Sequence, residues 1–386
     1  MYDFLNTLSG LIWGPITLIL ILGTGIFLSL GLKGFTFTYI LIAFKQIFNK
    51  DENATDGEIT SFQSLTTALS ATVGTGNIAG VATAIYIGGP GAVFWMWVSA
   101  LFGMATKYAE AFLAIKYREK NANGETVGGP MYYIKNGLSK NYIIFAYLFA
   151  LAGMIAALGI GNGVQVNSVS QVIENEFGIS AFTVGIFIAL LVALVILGGI
   201  KSIGKITSKL VPLMSAIYIL GGLWIIVLNY SEVTYIFNLI TTSAFTSTAA
   251  TGGFAGATVW MALRYGVARG VFSNEAGLGS SPIAHAAANT NNPAKQGMIS
   301  MLEPLIDTLI VCTITAFVIL MSNLWIGEIN GAVLTVASFE QLLSNGKYIV
   351  IFGLILFSFS TIIGWSYYGE KCAEFLFGSQ IIIYYR

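Results

Sequence analysis

At least six windows of this chain carry no charged residue and are each long enough to cross a bilayer, which takes about 20 apolar residues in a helix. They are Leu11–Leu32, Tyr142–Ile173, Phe177–Ile200, Leu210–Ser231, Thr308–Gly327 and Tyr348–Gly369. A further window, Ile59–Thr106, holds 48 uncharged residues and is interrupted at Gly88-Gly89-Pro90-Gly91, so it reads as two spans joined by a tight turn. One more span lies within Thr258–Ala288, which carries Arg264, Arg269, Glu275 and His285. With 56% hydrophobic residues, 9% charged residues and a mean hydropathy of +0.79, the chain has far more apolar surface than a soluble core can use. Backbone groups in lipid must be paired within a segment, so runs of this length are helices and the fold class is an all-α polytopic membrane protein.

Nine spans follow: A 11–32, B 61–88, C 91–115, D 142–173, E 181–200, F 208–230, G 256–287, H 299–322 and I 348–377. Connections kept in the cytoplasm collect Lys and Arg, and the alternation here is unbroken. The A–B connection has Lys33, Lys45 and Lys50, the C–D connection has Lys116, Arg118, Lys120, Lys135 and Lys140, the E–F connection has Lys201, Lys205 and Lys209, and the G–H connection has Lys295. The D–E and F–G connections carry acids without a base, and H–I has only Lys347. The N-terminus is therefore expected outside and the end of span I in the cytoplasm. Met1 opens an acidic segment (MYDFLNTL) with no basic region, so span A reads as a retained helix rather than a cleaved signal. Cys312 and Cys372 lie far apart in two spans and are expected as buried small hydrophobes with no disulfide framework.

A short pattern occurs once in each half. Thr75-Gly76-Asn77-Ile78-Ala79-Gly80-Val81-Ala82-Thr83 is echoed by Phe272-Ser273-Asn274-Glu275-Ala276-Gly277-Leu278-Gly279-Ser280, with Asn77 on Asn274 at an offset of 197. Glycine-interrupted spans at matching places in two halves are the mark of a secondary transporter with its site at mid-membrane. A helix broken in lipid bares N–H and C=O groups that cost several kcal/mol each unless something binds them. At Gly74-Thr75-Gly76-Asn77 the half-helix that begins offers N–H groups and a positive dipole end to a carboxylate, while the half-helix that ends offers carbonyls to sodium or ammonium. Pro282 disrupts span G further. The amides of Asn77 and Asn274 suit either a sodium ion or the capping of the break.

The runs SATVGTGNIAGVATAI, GGPGAVFWMWVSALFGMATKYAE and GVFSNEAGLGSSPIAHAAA resemble the alanine/glycine:cation symporter family, the sodium:alanine symporters of bacteria and archaea, and the likeness extends from about Ile59 to about Phe377. The resemblance implies a five-plus-five inverted-repeat fold like that of the leucine transporter, with span A as one extra N-terminal helix. It also implies uptake of a small neutral amino acid, alanine or glycine, driven by the sodium gradient, with Na+ as the co-transported ion. By that resemblance, residues 1–60 form the extra helix and a cytoplasmic interfacial segment, 61–230 the first repeat and 256–386 the second. Backbone at Gly74, Thr75 and Gly76 would hold the substrate carboxylate, with Asn77 there or on an ion. Carbonyls near Ser70 and Val73 would face the hydroxyls of Ser360 and Thr361 in a sodium site, with Asn274 as a further sodium ligand. Phe272, Ser273 and Gly277 would frame the substrate from span G, Trp365 would cap it from span I, and span D would bring Gly161, Asn162 and Gln165. A five-plus-five core needs ten spans after A, whereas only B to I can be read, so the second repeat has three helices and the start of a fourth. The natural product is then expected to continue by roughly 60 residues, the length of two spans and their connections. A mass spectrum of the natural protein near 41.3 kDa would contradict this.

Charges inside spans are costly and functional by default. Lys107 and Glu110, one turn apart, are expected to neutralise each other, and Arg269 to pair with Glu303 or Asp307. Glu275, inside the second break, makes proton coupling the alternative to sodium. A channel is a further alternative, but filters usually repeat one loop around an axis. An enzyme is excluded by the absence of HExxH, GxSxG and any cysteine–histidine partnership. The single histidine, His285, reads as an interfacial residue. Phe37, Ile40, Leu41, Phe44, Ile47 and Phe48 recur at helical spacing within Phe35–Phe48 and fit a helix on the membrane surface or a packed cytoplasmic one. Gly128-Gly129-Pro130 reads as a plain turn, and Trp325–Leu343 as a mixed loop, the one candidate for an outer lid.

Overall fold

The computed structural model describes residues 7, 8, 10–49, 56–247 and 257–386. The first six residues, most of the acidic stretch from Asp51 and the start of span G at residue 256 lie outside the described residues. Every one of the nine spans contains helix, and among the described residues the architecture is all-α apart from one hairpin of two-residue strands, β1 Glu119–Lys120 with β2 Thr126–Val127. Span A is α1 Pro15–Gly31, followed by one turn, Phe35–Thr38, and by α2 Ile40–Phe48. Span B is α3 Ser61–Thr72 and α4 Ala79–Gly88, and span C is α5 Gly91–Lys116. A short α6 Pro130–Gly137 precedes span D, which consists of α7 Ile143–Leu158, a π-helical turn Gly159–Gly163 and α8 Val164–Phe177. Span E is α9 Ala181–Ile196, span F is α10 Gly199–Leu228, and α11 Val233–Ser243 follows.

Span G is α12 Val259–Asn274 and the five-residue α13 Pro282–Ala286. After α14 Pro293–Ser300, span H passes through a π-helical stretch, Leu305–Cys312, into α15 Thr313–Ser322, and then come α16 Gly331–Leu342 and the long α17 Lys347–Phe377. Among the described residues, five helical stretches are long and apolar enough to cross a membrane by themselves, and the pair α3 and α4, bent by 57°, makes a sixth. The share of the apolar window buried in the protein separates the middle of the bundle from its rim: it is 67% for α17 but 17% for span D. Leu190, Leu194 and Phe187 of α9 are all exposed, as apolar residues on the rim of such a bundle are expected to be.

The two broken helices run antiparallel. Gly88, at the end of α4, lies against Met261 and Tyr265 near the start of α12, while Ala287 and Ala288, just past α13, meet Ile59 just before α3. The break in span B has a local cause. Thr60 and Gln63 form a reciprocal capping box that starts α3, with Gln63 N on Thr60 Oγ1 at 3.1 Å and Thr60 N on Gln63 Oε1 at 3.0 Å. The helix stops at Thr72, Gly74 is extended, and one 3₁₀ turn, Thr75–Asn77, precedes α4. In span G, α12 ends where Glu275 takes a left-handed conformation at φ 57°, an uncommon one for a residue with a side chain that is found where the surroundings over-determine it.

Two expectations are corrected. Lys201, Lys205 and Lys209 lie on the first turns of α10, because span E ends at Ile196 and only Leu197 and Gly198 separate the two helices. Trp325–Leu343 is mostly α16, a buried helix whose Thr335 hydroxyl donates to the Ile78 carbonyl at 3.1 Å and whose Ser338 accepts from Ser322 at 2.9 Å. In the segment 35–48, Ala43 and Ile47 are buried in the protein while Phe37, Leu41, Phe44 and Phe48 are exposed, so one face packs and the other is free. Lys295 Nζ on Asn49 O, 2.6 Å, ties its end to α14.

α12 lies against α5 through small residues, as membrane helices commonly do. A Cβ on Gly266 would overlap the Ala92 carbonyl, which is backbone and cannot swing away. Gly266→Val is expected to cost about 1–3 kcal/mol through overpacking and to lower the thermal midpoint in detergent. Gly23→Ala on α1, where a Cβ meets nothing within 4 Å, should leave the midpoint unchanged.

Candidate substrate and ion site

Both breaks are capped by their own asparagine. Asn77 Oδ1 accepts from Gly74 N at 2.8 Å, and Asn274 Oδ1 accepts from Ala276 N at 3.0 Å. The amide nitrogens then reach the same π-helical stretch of span H. Asn77 Nδ2 donates to Asp307 Oδ1 at 2.6 Å and to the Asp307 carbonyl at 3.1 Å, and Asn274 Nδ2 donates to Thr308 Oγ1 at 3.0 Å. Thr308 Oγ1 in turn donates to Asp307 Oδ2 at 2.7 Å. Ser273 joins through Cys312, 3.4 Å from its Oγ, and Gly76 lies where a Cβ would be 3.3 Å from Ser273 Cα, so the two breaks touch. Cys312 is buried as expected but contacts Asn77 and Ser273 rather than only hydrocarbon.

The amides at the first break point at side-chain oxygens. Thr75 N donates to Gln165 Oε1 at 3.2 Å, and Gln165 is steadied by its Nε2 on Ile160 O at 3.2 Å, a carbonyl within the π-turn of span D. A π-turn skips one normal helical bond and commonly accompanies a functional position. Asn162, one residue of that turn, instead lines an apolar groove between α8, α9 and α17 and does not reach the break. A Cβ on Gly74 would collide with Thr361 Oγ1 and stand 3.2 Å from Gln165 Oε1, so only glycine lets these side chains reach the backbone. Beyond the last helical bond of α3, Val73 N on Leu69 O, the carbonyls from Ser70 onward have no amide of their own helix. Thr361 Oγ1 donates to the Val73 carbonyl at 3.4 Å, which brings α17 to the first break. Ser360 and Ser70 donate within their own helices, to Phe357 O at 2.9 Å and Thr67 O at 2.7 Å.

Trp365 packs on Gly161 of the π-turn and comes within hydrogen-bonding reach of the Glu275 carboxylate, which also accepts from Ser280 Oγ. Two residues of span G point elsewhere. Phe272 lines a cavity of about 180 Å³ with Trp13, Arg264, Tyr265, Ala268 and Arg269, because it lies on the next face of α12 from Ser273. Gly277 is exposed, with Ile21 of α1 and Thr106 of α5 as its nearest side chains.

The buried charges pair differently from the expectation. Lys107 Nζ meets Glu303 Oε2 at 2.9 Å rather than Glu110, since residues one turn apart on α5 are outcompeted by a carboxylate from span H. Arg269 reaches neither Glu303 nor Asp307 and stands over the Phe272 ring at 5.7 Å. His285 is not interfacial but fully buried, 2.5 Å from Glu303 Oε1, with Ser64 and Gln296 on its other nitrogen at 3.0 and 2.6 Å. Asp307 is thus a fully buried carboxylate that accepts side-chain hydrogen bonds from Asn77, Thr308 and Ser273, with no ion-pair partner among the described residues.

Asn77→Ala strips donors from Asp307 and the acceptor from Gly74 N. It is expected to cost about 2–4 kcal/mol, the penalty for leaving two buried polar groups unpaired, read as a lower thermal midpoint in detergent. Asn274→Ala leaves all of Asp307's side-chain donors in place and should cost less.

All 386 residues match the model of the sodium:alanine symporter family. Among curated relatives, the chain is 51% identical to the sodium/alanine symporter AgcS of Methanococcus maripaludis over all of its own length and 85% of the relative. It is 39% identical to a putative sodium/proton-dependent alanine carrier, YrbD, of Bacillus subtilis, over 97% of this chain and 79% of the relative. It is 37% identical to a probable sodium/glutamine symporter, GlnT, of the same organism, over 97% of this chain and 78% of the relative. With broken helices joined at one buried polar node and relatives of this kind, the chain is a multi-pass membrane transporter, not an enzyme, and belongs to the sodium:alanine symporter family.

Proposed function

We propose that the protein is a sodium-coupled symporter that imports small neutral amino acids, alanine first and glycine with it, by alternating access around the two broken helices. The observation that carries the reading is the junction of the two breaks, Gly76 against Ser273, beneath which both asparagines hold Asp307-Thr308. The antiparallel course of α3–α4 and α12–α13 supports an inverted repeat of residues 61–230 and 256–386. The Lys and Arg distribution supports an N-terminus outside the cell. Alanine is favoured by the name of the relative with 51% identity, and the glutamine-named relative marks substrate size as the property that varies within the family.

In this reading the substrate carboxylate displaces the side-chain oxygens of Asn77 and Gln165 from the amides of Gly74 and Thr75, and meets Gly76 at the positive end of α4. Ser273 lies alongside, Trp365 closes the pocket from α17, and Phe272 and Gly277 act from its outer edges rather than by direct contact. One sodium ion takes the bare carbonyls near Ser70 and Val73 together with the hydroxyls of Ser360 and Thr361. A second takes the Asp307 carboxylate, Thr308 and the amide oxygens of Asn77 and Asn274 once these turn from their capping bonds. Oxygen ligands suit a hard cation, and a carboxylate supplies the compensating charge that a buried ion needs.

Radiolabelled alanine uptake into proteoliposomes, under inward sodium, potassium or proton gradients, tests the reading. Sodium-driven accumulation blocked by excess glycine is expected, whereas accumulation driven by protons alone would move the coupling role to Glu275. Asp307→Asn keeps the shape of the side chain but removes its charge and turns one of its two acceptors into a donor. In protein that still unfolds in a cooperative thermal transition, it should raise the sodium concentration for half-maximal uptake at least about tenfold, the equivalent of about 1.4 kcal/mol.

A further inference from the structure

The two broken helices are stitched together at one face of the bundle, main chain to main chain. Glu58 N and Ile59 N, just before α3, donate to the Ala287 carbonyl at 2.9 and 3.2 Å, and Asn289 N donates back to Ile59 O at 2.7 Å. Gly57 lies so close to the Ala288 carbonyl that no Cβ fits there. Arg118, two residues past α5, closes over this seam. Its Nη1 donates to Ala286 O at 3.0 Å and Ala288 O at 2.8 Å, and its Nη2 to Thr290 O at 2.7 Å, with Asp56 O and Asn291 Oδ1 at 3.4 Å. The hairpin that follows adds Thr126 N on Glu58 Oε1 at 2.6 Å. Beneath the seam, Ser64 of α3 donates to Ala284 O at 3.2 Å and touches His285, which is held by Glu303. Gly128 packs on Ala286 and Gly129 on Ile283, so the C–D connection is part of the same closure.

Two features set Arg118 apart from a surface arginine. Its guanidinium is spent on carbonyls that follow the C-terminal end of α13, where a positive charge is favoured. Its planar fork also bridges three carbonyls of one segment at once, which an ammonium on a flexible stem cannot reproduce. A path from the breaks to this face must part residues 56–60 from 286–290, and every bond named above crosses or braces that line.

We propose that Arg118 is a positioning residue for transport: it latches the ends of the two broken helices together and holds this face closed, and each transport cycle opens the face by releasing its carbonyl contacts. This rests on the transport reading above and on that face being cytoplasmic. Ala284, buried on α13 just inside the seam, reports the opening when replaced by cysteine. The experiment measures labelling of Ala284→Cys by a membrane-impermeant maleimide, applied in turn to each side of sealed proteoliposomes in sodium, with the chain lacking that cysteine as the background.

Labelling from the cytoplasmic side should be slow with Arg118 present and about tenfold faster with Arg118→Ala, the shift in open population that corresponds to losing one hydrogen bond to a charged group. The external KM for alanine should rise, because fewer molecules wait in the outward-competent state, while the sodium dependence of uptake keeps its steepness. Arg118→Lys keeps the charge without the fork and should also speed labelling, which serves if the alanine variant does not fold. Unchanged labelling and KM in a folded Arg118→Ala or Arg118→Lys would overturn the proposal. Faster labelling from the opposite side would support the latch and overturn the orientation. Faster labelling of a protein that takes up no alanine would support the latch and overturn the transport reading.

Discussion

A helix interrupted inside a membrane must find partners for the peptide groups that it bares, and here that requirement is met twice by the same device. Asn77 and Asn274 each turn an amide oxygen onto the N–H at their own break and an amide nitrogen onto Asp307-Thr308. Each of these bonds forms where water is scarce, so each is costly to lose and fixes geometry as well as energy. The breaks are thereby held in register with each other, and the segment they share is itself irregular, a π-helical stretch that turns Asp307 toward the first break and Thr308 toward the second.

Around this node the rest of the bundle divides by what it must do. α10 and α17 pack against α3 through a largely apolar core crossed by the buried Thr67–Thr207 hydrogen bond, and α5 holds α12 through glycine contacts close enough that backbone touches backbone. At one end α16 covers the first break from the side, through Thr335 on Ile78 O. At the other end the closure is made of main-chain bonds and the Arg118 fork. Closures built from hydrogen bonds and small residues can part without exposing a large apolar surface, which a closure built from a Leu and Phe core cannot.

The buried charges form a second centre beside the second break, where Glu110 accepts from Gly279 N. Lys107, Glu303 and His285 bind spans C, H and G to one another, and Ser64 and Gln296 complete the histidine's contacts. Breaking such a group from one side strands a charge in a low-dielectric interior and costs more than the pair itself stabilises. Its place below the second break ties the short α13 to the helices around it, where five residues of helix have little stability of their own.

Much of this was legible in the order of residues. Uncharged runs gave eight of the nine spans read from the sequence, span G alone carrying charges, because lipid tolerates only helices there, and the echo of Asn77 at Asn274 located both breaks to within a turn, because glycine and asparagine suit baring or capping a peptide group. Gln165 came only with Gly161 and Asn162 as what the family resemblance implied for span D, and the folded chain decided that Gln165, not Asn162, lies at Thr75. Three things were not legible. Lys107 finds Glu303 and not Glu110, because partners across helices depend on which faces meet and spacing along one helix says nothing of that, while Arg269 meets no acid and lies over Phe272 of its own helix. Asp307 joins the site through a π-helical shift that no periodicity announces. Arg118 looks in the sequence like one more cytoplasmic base, and only the folded chain brings three carbonyls from 168 to 172 residues away within its reach. The sequence by itself determined the membrane class, the spans and the breaks, since these follow from the cost of burying local groups. The tertiary structure decided which buried charges pair, which carboxylate reaches the breaks and what closes the seam, since hydrogen bonds and ion pairs are settled by distances of a few ångströms between segments far apart in the chain.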